Sequence, residues 1–334
     1  MTTTERKLVS IIFPVLNEVD SVQALAARMS LIASANDRYD FEFVVVDDGS
    51  TDGTVEALRP IMDPKLCLRT ITLSRNFGSH AAISAGFEAA RGDAVVIHGA
   101  DLQEPENLVE NFLAKWETGF DTVWGVRTSR GVPSLKSRVA SVLFSKLLYR
   151  FSELKTYPPE GPSGALCSRE VVEAVLAMPE RNRNVYGLIA WVGFRQTRCE
   201  YQQQERKAGQ SKWTTSKLIK LAIDSFVQFS SAPIRLMSYA GIGFAGLGFI
   251  YALFLAIRAA FSSRGPEGWT TVVVIVLVLG GLQLVMLGVL GEYLWRGAHE
   301  SRERPLFVVN RSAEPSFHGA SAASGDERSI RNVS

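Results

Sequence analysis

An α/β domain built on a mostly parallel sheet, followed by a membrane anchor, is the architecture the 334-residue sequence predicts. Three observations predict it. Short apolar runs end abruptly in polar residues and alternate with helical patterns, the signature of βαβ units with helices on both faces of a sheet. Residues 95–105 pass from an apolar run into an acid, an amide, a second acid and a proline. A buried strand reads this way when it delivers oxygen ligands to its carboxyl end, where open α/β sheets bind their ligands. Beyond residue 235, two uncharged stretches, 236–257 and 269–291, each reach the roughly 20 residues needed to span a bilayer as a helix.

In chain order, residues 8–13 read as the first buried strand. Pro14 fits its end, because proline cannot donate to a central ladder, and Asn17 and Glu18 follow. Residues 20–35 place Val22, Leu25, Ala26, Met29 and Ile32 on one helical face. Residues 41–46 form a second strand, stopped by Asp47-Asp48-Gly49-Ser50-Thr51-Asp52-Gly53-Thr54. Glycine and aspartate supply that turn, and Ser50, Thr51 or Asp52 can cap the next helix. The third strand, 68–73, runs into Ser74-Arg75-Asn76-Phe77-Gly78 and a small-residue helix over 79–90. Strand 95–98, helix 107–116 and strand 122–126 complete the series. Asn17/Glu18, Asp47/Asp48, Arg75/Asn76, Asp101/Gln103 and Arg127 therefore crowd one rim. Asp101 and Gln103 are hard oxygen donors two residues apart, which suits a divalent cation. Taken alone, the same stretch also reads as a strand followed by a solvated turn.

Residues 128–160 change character. Arg130, Lys136 and Arg138 precede an amphipathic run over 139–151, which reads as a membrane-surface helix, a loop over the site, or an ordinary core helix. Gly161-Pro162-Ser163-Gly164-Ala165 reads as a turn, 171–178 and 185–192 as helices, and the stretch up to Tyr201 as containing a strand. The expected organisation is a soluble domain over 1–212, amphipathic juxtamembrane helices over 213–234, a two-helix membrane region over 235–296 with spans at about 236–257 and 269–294, and a tail over 297–334, disordered from about residue 312. Arg235 precedes the first span, while Arg296, Arg302 and Arg304 follow the second. Against Arg258, Arg264 and Glu267 in the intervening loop, this bias puts both ends in the cytoplasm.

Composition excludes several classes. A formal net charge of +2 argues against a dedicated nucleic-acid binder. Cys67, Cys167 and Cys199 are too few and too far apart for a disulfide framework or a zinc site. The polar stretch 1–7 lacks the apolar core of a signal peptide. Gly241-Ile242-Gly243-Phe244-Ala245-Gly246 matches a dinucleotide-binding pattern, but it lies inside a predicted span, where small residues serve helix packing. The four histidines have no metal-ligand spacing, so His80 and His98 read as structural or loop residues.

These motifs, in this order and spacing, resemble the polyprenyl-phosphate glycosyltransferases of glycosyltransferase family 2, the dolichol-phosphate-mannose-synthase-like group, and its bacterial two-span members in particular. The resemblance covers residues 8–309. It rests on Pro14 with Asn17-Glu18, on 46–54, on 73–78, on Ala100-Asp101-Leu102-Gln103-Glu104-Pro105, on Gly125-Val126-Arg127, on 206–212 and on the post-membrane stretch from Gly291-Glu292-Tyr293 to Arg304-Pro305-Leu306. It implies a GT-A, Rossmann-like catalytic domain on the cytoplasmic face of a bacterial inner membrane. It implies a nucleoside-diphosphate sugar as donor, a polyprenyl phosphate as acceptor, contact with membrane lipid and, as one assembly, a homotetramer. By resemblance, Pro14, Asn17, Glu18, Asp47, Asp48, Asn76, Gly99 and Ala100 line the nucleotide site, and Asp101 and Gln103 hold Mg²⁺ or Mn²⁺. Asp101, Arg127 and Arg206 serve the transfer, while Arg138, Ser163, Ser211 and Lys212 hold acceptor or phosphate.

Two motifs depart from the family pattern. Where the family often writes Asp-x-Asp, this chain has Gly99-Ala100-Asp101, keeping the acid assigned to the metal. Alignment on Ser168-Arg169 puts Ser163 where members often carry an aspartate proposed as base or acceptor-orienting group, and Ala165 where they carry arginine. A phosphate monoester acceptor with a second pKa near about 6 is largely dianionic at neutral pH, so it needs positioning more than deprotonation. The expected reaction inverts at the sugar carbon. The alternatives are a processive polysaccharide synthase, whose Gln-x-x-Arg-Trp motif and extra spans are missing here, and a degenerate sugar-nucleotide-binding scaffold.

Overall fold

The computed structural model describes residues 6–61, 63, 65–128, 156–158, 161–180, 183–203, 268–310 and 317–318, together with 239, 241–244, 246–251, 253, 254 and 257. Strand β1 (Lys7–Val15) is followed by α1 (Val22–Ala35), β2 (Tyr39–Asp47), α2 (Thr54–Leu58), β3 (Cys67–Thr72), α3 (Ser79–Ala89), β4 (Ala94–Ile97), α4 (Leu108–Glu117) and β5 (Thr122–Arg127). Then come β6 (Pro162–Ser168), α5 (Arg169–Leu176), α6 (Val185–Trp191), β7 (Gln196–Tyr201), α7 (Trp269–Glu300) and β8 (Phe317–His318). The strands form one sheet in the order β7-β5-β6-β4-β1-β2-β3-β8.

The centre of the sheet is buried on both faces, which is why β1, β2 and β4 read as continuous apolar runs. On one face Ile11, Phe13 and Val15 meet Leu25, Met29 and Ile32 of α1 and Phe112 of α4. On the other, Ile12, Val44 and Val46 meet Ala82 and Phe87 of α3 and the valines of α5. Helix α3 lies unusually close to β1. A Cβ on Gly86 would come within 2.5 Å of Ile12 Cγ2, so the small residues of 79–90 are what lets this layer close down.

The sheet is mixed rather than mostly parallel. The pairs β1/β2, β1/β4, β2/β3 and β5/β7 are parallel, but β6 runs antiparallel to both β4 and β5, and β8 antiparallel to β3. The expected turn at 161–165 is therefore the start of an interior strand. Gly164 belongs there because a Cβ would lie 2.5 Å from the carbonyl oxygen of Ile97. The antiparallel direction has a functional consequence: the first residues of β6 sit on the same rim as the last residues of its neighbours. Within the tail read as disordered, Phe317–His318 pairs with β3.

Helix α7 has 32 residues, and its segment Val278–Trp295 has mean hydropathy 1.5. At 1.5 Å per residue the helix is about 48 Å long, more than the roughly 30 Å hydrocarbon layer. Leu284, Leu294 and Trp295 on it are exposed. Among the described residues it is the one helix long and apolar enough to cross a membrane, and a shorter apolar helix occupies Gly241–Tyr251. The amphipathic segments expected over 139–151 and 213–234 lie outside the described residues. After α7 the chain returns to the sheet. Ser74 N–H donates to the Val308 carbonyl and Asn310 N–H to the Thr72 carbonyl, each at 2.8 Å, with Leu73 bridging Val309.

Candidate active site

The carboxyl ends of β1, β2 and β3 are stitched into one polar floor. Asn17 stands in the left-handed region (φ 50°), a conformation asparagine tolerates better than most residues. Its N–H donates to Ser50 Oγ and its Oδ1 accepts from Thr51 N–H, both at 2.8 Å. Asp47 Oδ1 accepts from Ser50 N–H at 2.9 Å. Both oxygens of Asp48 are engaged across the strands: Oδ1 by Phe77 N–H at 2.7 Å and Oδ2 by Gly78 N–H at 2.9 Å. Burial raises the Asp48 pKa, against the lowering effect of those two bonds. Gly49 (φ 74°) lets the two loops touch, since a Cβ would lie 2.5 Å from the Arg75 carbonyl carbon. Asp48 thus joins the loop after β2 to the loop after β3, a role the sequence did not assign it.

The turn after β4 is compact. Asp101 and Gln103 are half-buried, Ala100 and Leu102 are buried, and Leu102 stands at φ 53°. Gln103 N–H reaches Asp101 Oδ1 at 3.4 Å. Beneath lies a group the sequence did not single out. Glu104 is 3% exposed, and its Oε1 accepts from Gly99 N–H at 3.2 Å. Its backbone carbonyl accepts from Arg28 Nη1 at 3.0 Å, the buried guanidinium being supplied by α1. Its Oε2 lies 3.5 Å from His98 Nδ1 and has no hydrogen-bond partner among the described residues. Burial, then the neighbouring Asp101 charge, pushes the Glu104 pKa up to about 8, and burial pushes that of His98 down to about 4. At neutral pH the two face each other uncharged, so the 3.5 Å contact is not an ion pair. His98 packs against Phe13 with ring centroids 5.0 Å apart, consistent with a structural residue.

The start of β6 forms the third side. Gly125 pairs with Gly164 and Val126 with Pro162, so Ser163 is the extra residue of a bulge. Bulges re-aim side chains next to sites. Ser163 Oγ donates to the Gly125 carbonyl at 3.1 Å and is also hydrogen-bonded to the Tyr201 hydroxyl. Burial, then the charge of Glu104, raises the Tyr201 pKa to about 12. From the ends of β5 and β7, Arg127 Nη1 donates to Gln203 Oε1 at 3.4 Å, and Gln203 Nε2 donates to Gln103 Oε1 at 2.7 Å. This chain links Arg127 to the turn carrying Asp101.

Pro14 pairs with Val46 inside β1, which runs on to Val15 rather than ending at the proline, and Glu18 N–H donates to Thr54 Oγ1 at 3.0 Å. Asn76 is exposed on the loop after β3. The structure thus brings Asn17, Asp47, Asp48, Gly99, Asp101, Gln103, Arg127 and Ser163 to one rim. Arg138, Arg206, Ser211 and Lys212 lie outside the described residues. Tyr201 and Gln203 escaped the sequence reading, although the strand-end rule applied to β7 points to both.

Residues 10–176 match the family described as Glycosyl transferase family 2. An uncharacterised glycosyltransferase of Bacillus subtilis (strain 168) is 36% identical over 305 residues, covering 91% of this chain and 93% of that protein. A prophage bactoprenol glucosyl transferase homologue of Escherichia coli (strain K12) is 32% identical over 303 residues, covering 91% of this chain and 98% of that protein. Among solved structures, a mannosyltransferase from Pyrobaculum calidifontis in complex with GDP-Man and Mn²⁺ gives a TM-score of 0.45 at 20% identity, over 85% of this chain and 88% of that one.

Proposed function

The chain belongs to glycosyl transferase family 2 and is a glycosyltransferase, and we propose that it moves a sugar from a nucleoside-diphosphate sugar to a polyprenyl phosphate at the cytoplasmic face of a bacterial inner membrane. What carries this reading is the near full-length similarity to the bactoprenol glucosyl transferase homologue. The exposed apolar helix α7 supports it, because a lipid-borne acceptor requires a site at the bilayer surface. We read the catalytic domain as GT-A over residues 1–212, with juxtamembrane helices over 213–234, two spans within 235–296 and a cytoplasmic tail.

In the reaction, an acceptor phosphate oxygen bonds to the anomeric carbon of the sugar. The bond from that carbon to the nucleoside diphosphate breaks, inverting the centre, and the diphosphate leaves with the electron pair. The Asp101 carboxylate and Gln103 amide oxygen fit a hard divalent cation, Mg²⁺ or Mn²⁺, since both are oxygen donors at a strand end and the amide oxygen keeps a second lone pair after accepting from Gln203. Such a cation supplies Lewis-acid stabilisation of charge on the departing diphosphate. Pro14, Asn17, Glu18, Asp47, Asp48, Asn76, Gly99 and Ala100 frame the nucleotide. Arg127, with Arg138, Arg206, Ser211 and Lys212, holds phosphate, where arginine can bind bidentately. The Ser163–Tyr201 hydroxyl pair orients the acceptor. A phenol held near a pKa of about 12 is no base at neutral pH, and a largely dianionic acceptor needs none.

The test is transfer by the full chain in detergent, with polyprenyl phosphate and a panel of UDP- and GDP-sugars, in Mg²⁺ or Mn²⁺ and in chelator. The expected result is one lipid-phosphate-linked sugar, lost in chelator and in Asp101→Ala. A sugar delivered only to some other acceptor refutes the lipid assignment. Undiminished turnover of Asp101→Ala refutes the metal assignment.

A further inference from the structure

Gly99 is a glycine for want of space rather than for backbone freedom. Its φ lies outside the left-handed region, so its conformation is open to any residue. A Cβ built there would meet three carboxylate oxygens: Glu104 Oε1 at 2.9 Å, Asp101 Oδ1 at 3.0 Å and Glu104 Oε2 at 3.1 Å. The first is shorter than a Cβ and an oxygen tolerate and the other two are tight, so the Glu104 and Asp101 side chains must both shift to admit a side chain at 99. The same Glu104 carboxylate accepts from Gly99 N–H, and Arg28 holds its backbone from below. Its Oε2 has no hydrogen-bond partner among the described residues although the side chain is buried. That orphaned oxygen, which faces His98 Nδ1, also borders the space that a Cβ at position 99 would share with Asp101 Oδ1.

We propose that Glu104 is the positioning residue of the turn after β4. Its carboxyl group fills the volume that a side chain at position 99 would need, so Gly99 and Glu104 act as a coupled pair that sets where Asp101 stands. This deepens the proposed function, because Asp101 is the ligand so placed. The coupling predicts an asymmetry. A side chain at 99 is harmful only while Glu104 is long enough to occupy its space. Removing Glu104 releases the turn but makes room for an acid at 99.

The experiment uses the full chain in detergent and the variants Gly99→Ala, Gly99→Asp and Glu104→Ala, with the doubles Gly99→Ala/Glu104→Ala and Gly99→Asp/Glu104→Ala. Two properties are read: Mn²⁺ affinity in the presence of UDP, by electron paramagnetic resonance, and the unfolding temperature in metal-free buffer. Residues that orient a metal ligand are worth roughly 10- to 100-fold in affinity, so Gly99→Ala and Glu104→Ala are each expected to weaken Mn²⁺ about tenfold or more. In the Glu104→Ala background, adding Gly99→Ala is expected to cost less than about twofold, and Gly99→Asp to restore affinity to within about threefold of the original chain. The unfolding temperature is expected to show the same non-additivity.

Equal losses from Gly99→Ala in both backgrounds, or no loss in either, overturn the coupling. Should the original chain bind no Mn²⁺, the metal reading fails, while the unfolding data still decide the pair. Should Glu104→Ala not fold, Glu104→Asp serves as the background, since it keeps the carboxylate and withdraws it by one methylene.

Discussion

Asp48→Asn separates a carboxylate that braces the site from one that only touches a nucleotide. In the folded chain the two Asp48 oxygens each accept one backbone N–H, from Phe77 at 2.7 Å and from Gly78 at 2.9 Å. An asparagine can accept one of these, but its NH₂ must then face the other N–H. The lost bond to a charged acceptor is worth about 1.5–3 kcal/mol, and the donor left unsatisfied adds about 1 kcal/mol. Against this, the neutral amide escapes the burial and the Asp47 repulsion that raise the Asp48 pKa. The two losses together come to about 2.5–4 kcal/mol, or roughly 5–16 °C in unfolding temperature for a domain of this size, and the relief leaves the shift below that. Heat unfolding followed by tryptophan fluorescence reads it, because Trp124 is buried in the core. UDP or GDP titration of the same samples reads the nucleotide site. A variant that unfolds within about 1 °C of the original while losing nucleotide binding would refute the bracing role and leave Asp48 a pure ligand contact.

The remaining predictions concern packing, the hydroxyl pair and pH. Gly86→Ala should destabilise by about 1–3 kcal/mol through overpacking against Ile12. In an Ile12→Ala background the same change should be neutral or stabilising, because alanine is the better helix former; differential unfolding of the four chains checks this. Ser163→Ala should lower transfer by less than the roughly 100-fold expected on losing a general base, and Tyr201→Phe should act through KM for the acceptor more than through kcat. Steady-state kinetics would sink that view if Ser163→Ala matched the loss in Asp101→Ala. Glu104 has its folded pKa raised from 4.5 to about 8, so its contribution to stability is complete below pH 4.5 and is lost as pH rises through 8. The metal-free protein should therefore lose unfolding temperature between pH 6.5 and 9, and Glu104→Gln should flatten that slope. His98, lowered from 6.5 to about 4, acts in the opposite sense: its contribution is present above pH 6.5 and is lost as pH falls through 4.

The rim of strand ends was legible because one rule suffices for parallel strands: an apolar run followed by polar residues puts those residues at the carboxyl edge. Asn17, Asp48, Asp101 and Arg127 follow from that rule without tertiary information. Strand β6 did not, because Gly-Pro-Ser-Gly carries turn chemistry, and only the approach of Gly164 to the Ile97 carbonyl explains those residues in an interior strand. Ser163 enters the site by a strand's first residues rather than its last, which periodicity cannot reveal. Glu104 and Gly99 were visible as residues but not as a pair, since their contact depends on the compact turn at Leu102 rather than on spacing. Arg28 lies outside the apolar face assigned to its helix, and its burial at 4% exposure follows from a tertiary contact, the bond from Nη1 to the Glu104 carbonyl.

The path of the chain after α7 bears on why such a rim would serve a lipid-borne acceptor. Ser74, whose N–H is held by Val308, opens the loop whose Phe77 and Gly78 amides grip Asp48. Val308 lies eight positions along the chain from Glu300, the last residue of α7. A fully extended chain covers at most about 3.3–3.6 Å per residue, so these two points lie no more than roughly 29 Å apart. With α7 in the bilayer, as proposed, the nucleotide floor cannot drift farther than that from the end of the membrane helix. Cleaving the tether, by a protease site inserted between Arg302 and Pro305, tests this. Transfer to polyprenyl phosphate in vesicles should fall while UDP or GDP binding to the catalytic domain, still joined to the membrane through residues 213–234, persists. Equal loss of both would mean that Phe307–Asn310 acts on the fold of the rim rather than on its distance from the lipid.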